Sequence, residues 1–535
     1  MDWKRDTQRK SLRAGAFVLA IVLLLVLWQQ NFNKLGSFYD YSIMTAAAGN
    51  LAAGLRPYRD FATVAQPLSL LVARGCEILF GERYLSLAYG NLLLSIGLFL
   101  LVWWYSRKAF PWYLALLIAV ASPVASTLQH GIVWYNTIGM VILIAITLIG
   151  ASIVRRGSVT AAGSLAIALL LILGGMNKVN FHVVDLCVVF FYGLVFWVHK
   201  GPVRPVKAAL FLVALCVCAV APILIETLWT HITVSTWAHT IILGPAGRAH
   251  RLRRIATLGF YLKNPPYYYY GALHPAVVGI GVVTYIILFV AALRAGAKTL
   301  TTRAHVIGSP LLLLAATATV FLGATCVLVS TNSELQIIIG SYSLIGGVAI
   351  ALICAPLLGD YWERPLRICC SAMALYFLIF GGICCLRHAR ISYFEPTQFE
   401  RKPPRDQLPL YLQGVHLSEV GAARVAAIDA VVRRDHSSIP PCWGPGLGLM
   451  SRIYGGVTGP AIPLWYDLGT SVHESSAPAL IAAIEQSGCS LVISDSIWID
   501  SFPSGVRRHL EMNWVEEKSP LVIVFHRKVV ASRGK

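Results

Sequence analysis

The sequence predicts a polytopic α-helical membrane protein with a C-terminal α/β domain outside the cytoplasm. Three observations predict it. Hydrophobic residues make up 57% of the 535 and charged residues only 13%, where soluble domains carry roughly 25% charged residues. Apolar stretches long enough to cross a bilayer recur as far as Leu386. From Arg387 to Lys535 the chain turns more polar, with Pro403-Pro404 and Pro440-Pro441 as breakers.

The first apolar segment, residues 14–28, follows Lys4, Arg5, Arg9, Lys10 and Arg13. That flank and core fit a signal peptide, but Trp28-Gln29-Gln30-Asn31-Phe32 offers no small-x-small cleavage site, so the segment reads as a retained anchor. Further stretches run over 84–105, 111–126, 134–154, 159–176, 182–198, 208–228, 275–293, 310–330, 335–358 and 368–386. The total is about eleven spans, some near the short limit of roughly 17 residues.

Lys and Arg in short loops set the orientation. With the N-terminus cytoplasmic, the inner loops hold Arg107/Lys108, Arg155/Arg156, Lys200/Arg204/Lys207, Arg294/Lys298/Arg303 and Arg364/Arg367. The outer turns 129–133 and 331–334 hold neither residue type. The first loop (29–83), a long loop (229–274) and the C-terminal region (387–535) then face outward, while 1–386 forms the membrane domain. A cytoplasmic membrane is the expected location. The formal charge of +19 is partly this topology. It points to anionic lipid rather than to nucleic acid.

Nine cysteines (187, 216, 218, 326, 354, 369, 370, 384, 385) fall in apolar spans and read as small buried hydrophobes. Cys442 and Cys489 are candidates for a disulfide if their compartment oxidises thiols. In the C-terminal region, 420–433 and 477–486 read as helices, 491–494 and 521–526 as buried strands, and 505–511 as a helix between them. Alternating strands and helices suggest a small α/β domain of about 150 residues. In the first outer loop, 45–55 and 67–80 read as two helices on the membrane surface or on the bundle, the second with Leu68, Leu71, Ile78 and Leu79 on its apolar face.

Several constellations offer chemistry. Asp40 follows the first span closely, at a depth where a carboxylate reaches both water and a lipid headgroup. A general base that deprotonates a hydroxyl attacking a membrane-held donor belongs there. On spacing alone, the commoner role of such a residue is a solvated loop acid. Asp60 offers either a salt bridge to Arg56 or Arg59, a helix cap, or a contact to an acceptor or a divalent metal. Lys178, His182 and Asp185 follow i, i+4, i+7 spacing on one helical face. They are either a Lys–Asp pair satisfying itself or a wet site in which Lys178 holds a lipid phosphate. Arg248, Arg251, Arg253 and Arg254 precede Pro265-Pro266-Tyr267-Tyr268-Tyr269-Tyr270 in the long outer loop. Arg suits bidentate phosphate contacts, and nonspecific contact with anionic headgroups is the alternative. Gly444-Pro445-Gly446-Leu447-Gly448 lacks Gly-x-Gly-x-x-Gly spacing and reads as a turn. No Walker A loop, His-Glu-x-x-His or Gly-x-Ser-x-Gly occurs.

These features together resemble the GT-C glycosyltransferase superfamily, in particular the bacterial relatives of protein O-mannosyltransferases and of the lipid A aminoarabinose transferase. Asp40 matches the Asp of the family's Asp-Glu pair after the first span, although Tyr41 follows it here. Gly54-x-x-Pro57-Tyr58-x-Asp60-Phe61 resembles a segment of the bacterial members. Pro67-Leu68 resembles the end of a Pro-Pro-Leu element, and Asn177-Lys178-Val179-Asn180 a Thr-Lys-x-Asn element. The acidic residue and Lys that precede Pro-Pro-Leu in the aminoarabinose transferase are absent, Val64-Ala65-Gln66 standing there instead. Lys178 or the arginine cluster would have to serve that phosphate. The resemblance implies sugar transfer from a polyprenyl-phosphate donor to a glycan, lipid or protein acceptor outside the membrane, with Asp40 as base. No cofactor is required by this chemistry, and a divalent metal stays open. A secondary transporter or lipid flippase is the rival, but no inverted repeat is evident.

Overall fold

The computed structural model describes residues 2–35, 38–129, 131–200, 205–244, 344–349, 351–352, 360–388, 408–435, 437–469 and 471–528. In chain order its principal helices are α1 (Asp2–Asn31), α2 (Phe38–Ala52), α3 (Pro67–Phe80), α4 (Leu85–Ser106), α5 (Trp112–Val124), α6 (Tyr135–Arg156), α7 (Ala161–Asn177), α8 (Val179–Lys200), α9 (Pro205–Thr230), α10 (Val234–Ala238) and α11 (Asp360–His388). In the last part of the chain come α12 (Glu419–Arg434), α13 (Met450–Tyr454), α14 (Ala477–Ser487) and α15 (Ser504–Asn513). The strands are β1 (Cys442–Trp443), β2 (Leu491–Asp495), β3 (Trp514–Lys518) and β4 (Val522–Arg527).

Among the described residues, five helical segments are long and apolar enough to cross a membrane: Asp6–Asn31, Leu85–Ser106, Tyr135–Arg156, Val179–Trp197 and Pro205–Thr230. Trp112–Val124, Ala161–Asn177 and Arg367–Ile383 are apolar but shorter. The expected span 111–126 is trimmed because Pro111 precedes the helix and Pro123 sits in its last turn. The expected spans 275–293 and 310–330, and most of 335–358, lie outside the described residues.

The chain forms two compact units. The first draws on 1–32, 91–222 and 254–388, the second on 33–90, 223–253 and 389–535. In the first, α6 packs on α7 and α8, and α11 packs on α5 and α1. Small residues set the α6–α8 contact. A Cβ at Gly139 would stand 2.8 Å from Phe181 Cγ, and one at Gly150 would stand 2.5 Å from Tyr192 Cδ2. Both pairs are spaced by three helical turns, so one glycine face receives one aromatic face. Gly157 ends α6 at φ 63, a left-handed cap that follows Arg155 and Arg156. The Thr160 hydroxyl then accepts from Gly163 N at 3.1 Å and starts α7.

The second unit holds a four-stranded sheet of order β1-β2-β4-β3, parallel between β1 and β2 and antiparallel elsewhere. Four of the expected elements recur as α12, α14, β2 and β4, and 505–511 extends into α15. β1 and β3 were not expected. β1 is only two residues long, and β3 is an edge strand, Trp-Val-Glu-Glu-Lys, whose charges face water. Charged residues suit an exposed edge but hide the strand signal. Because β1 exists, Gly444–Gly448 does follow a strand. Its glycines permit close packing: a Cβ at Gly444 would lie 2.8 Å from Phe502 Cζ, and one at Gly448 would run into the Leu464 carbonyl oxygen.

The same unit includes α2 and α3, which pack together. It therefore crosses the expected division at 386/387. α3 has the expected bounds, but Leu71, Ile78 and Leu79 are exposed while Leu70, Ala73, Cys76 and Glu77 are buried. α2 starts at Phe38, not at 45, and so takes in Asp40.

Cys442 and Cys489 are free thiols buried in one apolar cluster with Ile484, Val492 and Phe525. Cys442 Sγ lies 3.5 Å from Ser487 Oγ, and Cys489 Sγ donates to the Ile484 carbonyl at 3.9 Å. The neighbouring Cys442 thiol brings Cys489 below the ordinary thiol range, while Cys489 and burial push Cys442 up. Exchange with a small disulfide oxidant is expected to close this pair, the two thiols giving up two protons and two electrons. A peptide map of oxidised, non-reduced protein would carry the linked peptides. Two alkylatable thiols after full oxidation and unfolding would refute the expectation.

Candidate active site

The functional groups of the first outer loop sit in the second unit. Asp40 is the third residue of α2; its side chain lies outside the described residues. Beyond α2 the chain makes a tight knot. Arg56 N donates to Asp60 Oδ2 at 2.8 Å, Asp60 N donates to the Arg56 carbonyl at 2.9 Å, and Asp60 Oδ1 is 3.6 Å from Arg59 Nε. Tyr58 takes φ 66, a left-handed conformation rare for a non-glycine residue. Two bonds over-determine it: Tyr58 N donates to the Phe61 carbonyl at 2.9 Å, and its phenol donates to the Ala65 carbonyl at 3.1 Å. Burial, and then the nearby Glu226 carboxylate, push that phenol well above its ordinary range.

Asp60 thus closes a turn. Its oxygens face the Arg56 amide and the Arg59 guanidinium, an arrangement that does not suit a metal ligand. Among the described residues no three acidic, His or Cys side chains converge on a point.

The knot ends at Gln66, which precedes Pro67 at the start of α3. Gln66 Nε2 donates to Glu226 Oε1 at 3.0 Å, and Trp237 Nε1 donates to Glu226 Oε2 at 2.6 Å. Glu226, fully buried near the end of α9, thereby joins α3, α9 and α10 through neutral donors. Sequence spacing gave no sign of this cluster, since Gln66 and Glu226 stand 160 residues apart.

A second network surrounds Glu77 on α3. Arg452 reaches its two oxygens at 3.4 and 3.2 Å, Arg74 reaches Oε2 at 3.2 Å, and the Tyr411 phenol donates to Oε1 at 3.1 Å. Glu82 takes up both arginines, at 3.3 Å from Arg452 and 2.6 Å from Arg74. Burial and the Glu77 carboxylate push the Tyr411 phenol up.

The first unit holds Lys178, His182 and Asp185. The single residue Lys178, in an extended conformation, joins α7 to α8. Its Nζ donates to Asn136 Oδ1 at 2.7 Å and stands 4.8 Å from the Tyr135 ring centre. His182 Nε2 lies 3.4 Å from the Ala219 carbonyl on α9, close to Pro222, which has no amide to donate. Asp185 is fully buried against Gly174, and among the described residues neither of its oxygens has a hydrogen-bond partner. His182 and Asp185 share the face of α8 toward α7, but the self-satisfying Lys178–Asp185 pair does not form. Arg248, Arg251, Arg253, Arg254 and the tyrosine run lie outside the described residues.

No family model and no curated protein matches the chain. Solved structures similar to it include the oligosaccharyltransferase AglB from Archaeoglobus fulgidus, in complex with an inhibitory peptide and a dolichol-phosphate. That match has 11% identity over 95% of this chain and 73% of that one, with a TM-score of 0.48. ArnT from Cupriavidus metallidurans, bound to undecaprenyl phosphate, is 12% identical over 97% and 99%, with a TM-score of 0.47. The Archaeoglobus fulgidus oligosaccharyltransferase in complex with Zn and sulfate is 13% identical over 90% and 68%, with a TM-score of 0.45. Likenesses this distant do not carry an activity over to this chain.

Proposed function

We propose that this chain is an integral membrane glycosyltransferase. It moves a sugar from a polyprenyl-phosphate donor to a glycan, lipid or protein acceptor on the outer side of the cytoplasmic membrane. The observation that carries the reading is Asp40: an acid in the first turn of a helix that begins seven residues after α1 ends. The knot from Arg56 to Gln66 supports it by tying the loop after that helix through three hydrogen bonds, two of them buried. In the reaction, Asp40 takes the proton of the acceptor hydroxyl, the oxygen attacks the anomeric carbon, and the lipid phosphate leaves. Phosphate is a good leaving group, so cations suffice to stabilise it and no general acid is needed. Lys178 is the cation proposed for the lipid phosphate, with Asn136 and the Tyr135 ring holding the ammonium. His182 and Asp185 are proposed to shape that region, and Arg248, Arg251, Arg253 and Arg254 are proposed as further phosphate contacts. Asp60 acts on the acceptor side by fixing the loop.

The test is mass spectrometry of polyprenyl-phosphate sugars and surface glycans in cells with and without the protein. Accumulation of one lipid-linked sugar together with loss of that sugar from a glycan is the expected result. Unchanged pools would remove the transferase reading. One observation favours a second reading, a transporter or lipid flippase. Buried Asp185, without a hydrogen-bond partner among the described residues, faces α7 in a helix long and apolar enough to cross a membrane, and its neighbour His182 reaches α9 beside Pro222. On that reading Asp185→Asn stops activity and Asp40→Asn does not.

A further inference from the structure

One fully buried ion pair in the second unit has no part in the chemistry above, yet it touches the helix that carries Asp40. Arg424 on α12 and Asp495 at the end of β2 meet at 3.0 Å, each side chain 2% exposed. Asp495 is fixed by its backbone: its amide donates to the Pro445 carbonyl at 3.0 Å, and its Oδ1 accepts from Ile497 N at 2.9 Å. On its other side the Arg424 guanidinium lies 5.5 Å from the ring centre of Phe38, the first residue of α2. Gly421, one turn earlier on α12, lets that ring approach, since a Cβ there would sit 3.2 Å from Phe38 Cε2.

The same face of α2 is held twice more. The Ser42 hydroxyl donates to the Leu464 carbonyl at 3.4 Å, and a Cβ at Gly448 would lie 2.9 Å from Ser42 Cβ. At Gly49 a Cβ would come within 2.5 Å of Arg452 Cδ. Positions 38, 42 and 49 fall within about 40° of one another around a helix, and position 40 is about 200° away from the first of them. A rigid strand end, a buried cation and an aromatic ring thus bear on the helix start two residues before the acid.

We propose that Arg424, set by Asp495 and acting through the face of Phe38, is a positioning residue for Asp40. The inference rests on Asp40 being the base. A buried guanidinium beside a ring holds through charge and quadrupole as well as area, so it fixes a direction that an apolar side chain of equal volume does not. Its removal should lower turnover without unfolding the protein. The informative variant is Arg424→Met with Asp495→Asn, because it leaves no buried charge unpaired and the Asn carbonyl still accepts from Ile497 N. Phe38→Leu and Arg424→Lys accompany it, with Asp40→Asn as the reference for a lost base.

Each full-length protein is assayed for sugar added to the glycan per folded molecule and for amide exchange over residues 42–46. Misplacing a catalytic group by an ångström costs about 10²-fold. The double variant and Phe38→Leu should therefore lose at least tenfold per folded molecule and exchange faster at the start of α2, while Arg424→Lys retains most transfer. If Asp40→Asn is inactive and the double variant transfers like wild type per folded molecule, the positioning role is overturned and the base stands. If the double variant loses transfer only in proportion to folded protein, the pair is a structural staple and the inference likewise fails. If Asp40→Asn is active, the base reading falls and takes the inference with it.

Discussion

Asp40→Asn is expected to insert and fold like the wild type and to lose transfer by roughly 10²–10⁴-fold, the usual contribution of a positioned base. Asn keeps the size and polarity of the side chain in the first turn of α2. It cannot accept the acceptor's proton. The check is a rescue: cells lacking the protein receive wild type or variant, and the lipid-linked sugar and its glycan are measured. Donor accumulation that only the wild type reverses is the expected pattern. Asp60→Asn is the control. Its carboxylate accepts from the Arg56 amide, and an Asn carbonyl can accept the same bond. A smaller loss is therefore expected at 60 than at 40. Equal losses would mean that the loop's shape, rather than a base at 40, limits the reaction.

Glu77→Ala should be the most damaging single change to stability in the second unit. The Glu77 side chain is fully buried, while Arg452 and Arg74 are 16% and 22% exposed. Removing a buried carboxylate leaves cations facing each other, and breaking such a pair typically costs about 3–5 kcal/mol. The Tyr411 phenol loses its acceptor as well. Glu77→Gln retains an oxygen for the phenol and one guanidinium, so it should fall between. Thermal unfolding of the full chain in detergent or nanodiscs checks both. An unchanged midpoint for Glu77→Ala would show that Glu82 alone satisfies the two arginines.

Where local pattern determined structure, the sequence was readable. α3 begins at Pro67, a residue suited to a first helical turn, and ends before Gly81 at φ 94. β2 and β4 are short apolar runs, and α6, α8 and α9 are long ones. The start of α2 was hidden because Tyr39-Asp40-Tyr41-Ser42 resembles a polar loop. β3 was hidden by Glu516, Glu517 and Lys518. Of the candidate residues, Asp40 and Asp60 came from position after the first span, and Lys178, His182 and Asp185 from helical spacing. That spacing missed the break at Lys178, which turns its ammonium to Asn136 instead of Asp185. Gln66 with Glu226, Glu77 with Arg452, and Arg424 with Asp495 carried no local signal. Each pair joins distant segments, and a period of three or four residues says nothing about such contacts.

The seat of α2 and α3 also bears on how the protein is made. Phe38 emerges early from the ribosome, but Arg424 follows 386 residues later. At about 5–20 residues per second that is a delay of roughly 20–80 s. Throughout it the helix pair must wait with Glu77 lacking Arg452 and Tyr411, while the later spans insert. Chain released before about residue 464 would leave that pair without its seat, a natural substrate for quality-control proteases. A fragment beginning near residue 389, in turn, would lack α2 and α3. The last region is therefore not a portable module: its borders in space include a loop synthesised a minute earlier.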